Sequence, residues 1–251
     1  MKKATKRQSA GDSEAQMRAP SALLLALEGR AVFEWAACMA AWPLLSMAAR
    51  GDGHPVLVIP AFVTSDLMTA SFRRLLGALG YAVEGWGAGL NLGPTPSAWA
   101  AVNRRLVTMA NGGERPVSLV GHSLGGVLAR ALASDHPALV RQVITICSPF
   151  RVPTASPLLP VYRALSRWHI DEEFVRARLA SPPPVPTTAI YTPRDRVVAW
   201  TSCIDEPGCK GETITRENIA IDGVHTTMLT NPRTIHAVAE RLARPARASA
   251  F

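Results

Sequence analysis

The residues best equipped to do chemistry lie in one short run, Gly121-His122-Ser123-Leu124-Gly125-Gly126. A serine hydroxyl is a weak nucleophile until a base takes its proton and a third group orients that base. The run Val117–Val120 before it is apolar and strand-like, and Leu124, Val127, Leu128, Ala131 and Leu132 after it fall in helical phase. Glycine two places before and two places after Ser123 suits a sharp strand-to-helix turn, where any Cβ would meet the crossing backbone. The helix would also aim its free N–H groups and positive end at the serine. Such a residue is presented to a reactant rather than packed away.

On a strand–turn–helix of this kind the partners follow in the order serine, acid, histidine, each just past a strand end. Asp195 stands in "AIYTPRDRVV" and His225 in "NIAIDGVHTTML", both in that position. The other histidines fit worse. His54 precedes the first strand, His136 ends a helix, His169 lies in an insertion and His236 is mid-helix, while the side chain of His122 is expected to point away. Asp222 is too close to His225 in sequence to face it across a site, and Asp205 is the acid held in reserve. The plain alternative for Asp195 is a surface ion pair with Arg194 or Arg196. Acyl transfer also needs donors for a developing oxyanion: the Leu124 N–H, and an N–H from "IPAFVTSD", that of Phe62 or, failing it, Ala61. No metal or organic cofactor is implied.

The elements that must position these groups can be read from hydrophobic periodicity. Short strand-like runs at 55–60, 81–86, 117–122, 140–147, 187–192 and 217–222 read as six strands, the one at 55–60 being a continuous apolar run of the kind buried on both faces. Helical patterns lie between them, one opened by Ser65 or Asp66, one by Ser97, and a last one by Asn231 with Pro232 at its first position. That rhythm predicts an α/β chain with a minimal, mostly parallel six-stranded sheet and helices on both faces. Residues 150–186 are too many for a plain crossover and read as a small helical cap, or else a displaced crossover helix. Trp86, Phe150, Leu158, Trp168 and Trp200 are candidate apolar pocket residues under that cap, with ordinary core as the alternative for at least half of them.

Composition narrows the class. The chain has 251 residues, 48% of them hydrophobic, enough for a sizeable core. The net charge of +8 is spread as scattered arginines without an aromatic-rich basic cluster, so no nucleic-acid partner is expected. Residues 1–19 are polar and predict a disordered tail, ahead of a single domain over 20–251 that begins with apolar helices at 20–50. Glu34 and Pro43 interrupt the apolar run, which favours helices that pack on the body or lie on a membrane surface over a spanning segment. The expected location is cytoplasmic, with peripheral membrane contact through those helices as an option. Four cysteines do not make a disulfide scaffold. Cys203 and Cys209 flank a turn and could form a local bridge, whereas Cys38 and Cys147 read as buried thiols.

The elbow "GHSLGG", the acid loop "YTPRDRVVAW" and the histidine loop "GVHTTMLTNP" resemble those of the α/β-hydrolases, in particular the small bacterial lipase- and esterase-like members, over about Pro55 to Arg244. Two features depart from the family pattern: Pro60-Ala61 stands where many members have His-Gly, and the two leading strands are replaced by the apolar N-terminal helices. The resemblance implies a serine carboxylic-ester hydrolase acting on an ester small molecule or lipid, with Ser123 as nucleophile, His225 as base and Asp195 as acid. An acyltransferase with the same triad, and a non-catalytic membrane- or partner-binding protein on a hydrolase scaffold, are the alternatives.

Overall fold

The computed structural model describes residues 50–111, 114–151, 159–165, 181–206 and 214–245, with isolated positions at 36, 40, 43, 48, 178 and 179. The expected tail at 1–19, most of the helices at 20–50, and Leu158, Trp168 and Cys209 lie outside the described residues. No helix among the described residues is long and apolar enough to cross a membrane.

The six expected strands form β1 (Pro55–Ile59), β2 (Ala82–Gly85), β3 (Val117–His122), β4 (Val140–Ile146), β5 (Thr187–Tyr191) and β6 (Arg216–Ala220). They make one sheet of order β2-β1-β3-β4-β5-β6 with every pair parallel. Around it run α1 (Ala70–Ala78), α2 (Pro96–Ala110), α3 (Leu124–Asp135), α4 (Leu159–Leu165) and α5 (Pro232–Leu242).

Successive strand side chains point to opposite faces, and both faces are covered. Val56 and Val58 pack with Phe72, Leu76, Ile235 and Leu242, beneath α1 and α5. Leu57 and Ile59 pack with Val102, Leu106, Leu128 and Leu132, beneath α2 and α3. Each such fully buried side chain contributes about 1.5–3 kcal/mol relative to exposure.

Two helix starts differ from expectation. Ser65 precedes a 3-10 turn at Asp66–Thr69 and makes no side-chain capping bond. The Asp66 carboxylate instead accepts the Trp86 and Gly87 N–H groups, both at 3.0 Å, and so secures the end of β2. The second helix starts one residue early, at Pro96, with Thr95 capping the Ala98 N–H.

The strand order reverses between β1 and β3, because β2 lies on one side of β1 and all later strands on the other. Loops leaving the carboxyl ends of β1 and β3 therefore diverge and leave a crevice, the usual ligand position on an open parallel sheet. The Pro60–Thr64 loop and Ser123 both stand there.

Candidate active site

Ser123 links β3 to α3 with φ 52° and ψ −121°, a strained conformation for a residue bearing a Cβ. It occupies the N-cap of α3, where a serine oxygen ordinarily accepts a helix N–H, yet its Oγ makes no capping bond. The turn is held by its backbone: the Ser123 N–H donates to Ile146 O at 2.8 Å and the Gly126 N–H to Ser123 O at 3.0 Å. A Cβ on Gly121 would collide with the Gly125 and Gly126 backbone, and one on Gly125 with the Ile59 and Pro60 carbonyls. The glycine spacing thus brings the start of α3 against both its own strand and the end of β1.

Asp195 and His225 meet as the sequence order requires. His225 Nδ1 donates to Asp195 Oδ2 at 2.7 Å, and the two side chains are only 5% and 1% exposed. Asp195 Oδ1 accepts the Val197 and Val198 N–H groups at 2.8 and 2.9 Å. Burial alone would raise the Asp195 pKa, but the His225 bond and those two N–H groups outweigh it and hold the carboxyl below its ordinary range. Asp195 is therefore not a surface partner of Arg194, which pairs with Asp222 at 3.5 Å instead. Thr192 Oγ1 donates to Gly223 O at 3.1 Å and ties the acid loop to the histidine loop.

His122 does more than expected. Its Nε2–H donates to the His225 carbonyl at 2.9 Å, with ring centroids 5.3 Å apart, so the residue before the nucleophile anchors the histidine loop to the elbow. Among the described residues no hydrogen bond joins Ser123 Oγ to His225, a gap common before substrate is bound. Neither the Leu124 nor the Phe62 N–H has a recorded acceptor among the described residues. The Phe62 ring meets Tyr162 of α4 edge-on at 5.2 Å, which brings α4 onto the loop after β1.

The candidate pocket residues separate. Trp86 is 1% exposed, sits in the core beneath α2 and donates its indole N–H to Gly89 O at 2.9 Å, so it lines no pocket. Phe150 is buried beside Val127, Leu124 and Tyr162, and the Arg130 guanidinium lies 3.8 Å from its ring centroid. Trp200 is exposed and stacks on Tyr191 at 5.6 Å. A cleft of about 490 Å³ runs beside His225, lined also by Arg194, Arg196, Val197 and Val224.

Asp205 is removed as a rival acid. It forms a buried bidentate pair with Arg130 at 2.7 and 2.9 Å, and Thr187 Oγ1 adds a bond at 2.8 Å. Breaking a pair of this kind costs about 3–5 kcal/mol, because the remaining charge is left unsatisfied.

A second serine–histidine–aspartate chain lies at the opposite end of the sheet. His54 Nδ1 bonds Asp52 Oδ1 at 2.5 Å, and Ser118 Oγ bonds His54 Nε2 at 2.9 Å. The connectivity matches, but the setting does not. Ser118 lies within β3 rather than at a strand-to-helix turn, is fully buried and also receives the Gln142 amide at 3.3 Å. Burial lowers the His54 pKa despite Asp52, favouring a neutral ring that accepts the Ser118 hydroxyl. This chain pins the start of β1 to β3.

Cys147, at φ 48° after β4, was not expected near the site. Its Sγ, an Asp195 oxygen and a His225 nitrogen lie within 4.8 Å of one another, a set that could ligate a soft divalent ion. A metal would have to displace the proton shared by Asp195 and His225 and that of a thiol whose pKa is pushed up by burial and then by the Asp195 charge. Cys203 is a free buried thiol, pushed up to about 12 by burial, rather than half of a local disulfide.

Comparisons with known proteins agree with this architecture. Residues 97–198 match the family described as the alpha/beta hydrolase fold. No curated protein sequence matches the chain. Among solved structures, Aspergillus fumigatus lipase B aligns with TM-score 0.59 and 19% identity, over 80% of this chain and 57% of that one. A structure from work on the metagenome-derived lipolytic enzymes LipS and LipT aligns with TM-score 0.51 and 16% identity, over 78% and 94%. A pyrethroid hydrolase from Sphingobium faniae JZ-2 aligns with TM-score 0.50 and 19% identity, over 78% and 99%. By its parallel sheet, its elbow and these likenesses, this chain is an α/β-hydrolase-fold protein.

Proposed function

We propose that the protein is a serine hydrolase of carboxylic esters, with Ser123 as nucleophile, His225 as general base and acid, and Asp195 as the group that orients His225. One observation carries the reading. A strained serine at a helix N-cap makes no capping bond with its hydroxyl, and the residue before it, His122, holds the backbone of a histidine whose Nδ1 is already bonded to a buried carboxylate.

Because Nδ1 donates to Asp195, the tautomer leaves Nε2 as the basic nitrogen. Nε2 takes the Ser123 proton as Oγ attacks the ester carbonyl. The carbonyl oxygen becomes an oxyanion held by the Leu124 and Phe62 N–H groups. Collapse breaks the bond to the alcohol, which leaves with the proton from His225, and water activated by the same nitrogen then hydrolyses the acyl-enzyme. The lipolytic, pyrethroid-hydrolase and lipase character of the structural neighbours supports an ester of a small molecule or lipid as substrate.

The test is hydrolysis of p-nitrophenyl esters of graded chain length by the wild type and Ser123→Ala, with fluorophosphonate labelling of Ser123. Turnover and labelling that both vanish in the variant are expected. Undiminished turnover by folded Ser123→Ala refutes the assignment.

A further inference from the structure

The family pattern places glycine after the first core strand, where this chain has Ala61, so something else must shape the loop that carries the second oxyanion donor. We infer that Asn91 is the positioning residue that does so, holding the Pro60–Thr64 loop with the Phe62 N–H free at the elbow. The inference rests on the ester-hydrolase reading and adds to it a residue that touches no reactant.

Asn91 lies in the segment after β2 and is fully buried. All its polar groups are engaged. Its Nδ2 donates to Pro60 O at 2.7 Å, and its Oδ1 accepts the Gly93 N–H at 3.1 Å. Its backbone N–H donates to Thr64 O, and its carbonyl accepts the Val63 N–H, both at 2.8 Å. One residue therefore grips the loop at its root and at its far end.

Within the loop, Ala61 O accepts the Thr64 N–H at 3.1 Å and the Thr64 hydroxyl at 2.7 Å, closing a turn over Phe62 and Val63. Val63 has φ +55° while Phe62 does not have positive φ, the pattern of a type II turn. Its third position ordinarily takes glycine or asparagine, and a β-branched residue there is a true outlier. Such strain persists only where surrounding contacts over-determine it. Here the Val63 N–H bond to the Asn91 backbone carbonyl is one such contact, and the Asn91 side chain fixes that carbonyl in place through its bonds to Pro60 and Gly93.

The loop root is also fixed to the nucleophile. The Pro60 carbonyl that receives the Asn91 amide is packed against Gly125, two residues from Ser123. Asn91, Pro60 and Gly125 thus form a continuous contact from the segment after β2 to the elbow. The Phe62 N–H, between the two gripped points, has no recorded acceptor among the described residues.

An asparagine is required because the site needs one donor and one acceptor on a neutral side chain. Aspartate would lose the donor to Pro60 and bury a charge, and alanine would lose both bonds.

The test uses the full chain with Asn91→Ala, Asn91→Asp and, as a control of buried-bond loss far from the site, Ser118→Ala. The readouts are kcat and KM on p-nitrophenyl butyrate, the rate of fluorophosphonate labelling, and Tm. Loss of an oxyanion donor lowers kcat about 100- to 1,000-fold, and partial misplacement about 10- to 100-fold. Both Asn91 variants are expected to lose kcat and labelling rate in parallel by about 10-fold or more, with KM within about 3-fold. Ser118→Ala is expected to lower Tm and spare kcat. Val63→Gly in the Asn91→Ala background is expected to recover part of kcat, since glycine adopts the turn without strain.

Folded Asn91→Ala with wild-type kcat overturns the inference and leaves the hydrolase reading standing. So does a kcat loss no larger than that of Ser118→Ala at matched Tm. If Asn91→Ala does not fold, Asn91→Asp, alone and combined with Val63→Gly, decides the question by the same criterion. A wild type that neither turns over esters nor labels at Ser123 overturns both.

Discussion

The two serine–histidine–aspartate chains make opposite predictions, and a pair of alanine substitutions separates them. Ser118 Oγ is fully buried and bonded to His54 Nε2 at 2.9 Å and to the Gln142 amide at 3.3 Å. Removing it leaves a buried ring nitrogen and an amide hydrogen without that partner, which costs about 1–3 kcal/mol. A chain of this size shifts by about 2–4 °C per kcal/mol, so Tm should fall by about 2–12 °C. Ester turnover should stay within about 2-fold, because Ser118 lies inside β3 rather than at its carboxyl end. Ser123 predicts the reverse. Its hydroxyl makes no capping bond and alanine tolerates φ 52° no worse than serine does, so stability should change by less than about 1 kcal/mol. Turnover should drop at least about 1,000-fold. The assay is paired: differential scanning fluorimetry and p-nitrophenyl butyrate hydrolysis on the same preparations. Abolished turnover in Ser118→Ala with an unmoved Tm, or preserved turnover in Ser123→Ala, would refute the reasoning that a hydroxyl without a capping bond at a helix N-terminus marks the nucleophile.

His122→Ala removes the donor to the His225 carbonyl and should lower kcat about 10-fold with little change in Tm; equal losses in kcat and Tm would assign His122 to stability alone. The Asp195 carboxyl is held below its ordinary range, so under acid conditions the folded state binds fewer protons there than the unfolded chain does. Its stabilising contribution is complete above the ordinary carboxylate pKa of about 3.9 and is lost as pH falls through the lower folded value. Urea unfolding between about pH 5 and pH 2 should therefore show a shallower acid limb for Asp195→Asn than for the wild type, and an unchanged limb would contradict the sign. Cys147 and Cys203 are buried thiols pushed up in pKa, so peptide-resolved mass spectrometry should find neither alkylated by iodoacetamide in the native protein at about pH 8, and both alkylated in urea. Rapid native alkylation of Cys147 would mean that the Asp195 side of the site opens to solvent.

The sequence by itself determined the centre of the sheet, because strands buried on both faces are rich in apolar residues and such runs are local features. It also determined the elbow, since only glycines at 121 and 125 let the backbones of β1, β3 and α3 approach so closely. The order Ser123, Asp195, His225 along the chain is the one that the α/β-hydrolase resemblance implies. Choices between side chains of the same type were left to tertiary structure. Asp195 and Asp205 both follow β5, but register brings one to His225 and the other to Arg130, 75 residues away. Trp86 and Trp200 look alike in sequence, yet one lies under α2 and the other stands exposed on Tyr191. Asn91 carried no periodic signal, because its partners at Pro60 and Gly93 belong to irregular backbone. Periodicity reports which face of an element is dry, whereas hydrogen-bond partners across a sheet depend on how the strands pair and where the loops cross, which only the folded chain decides.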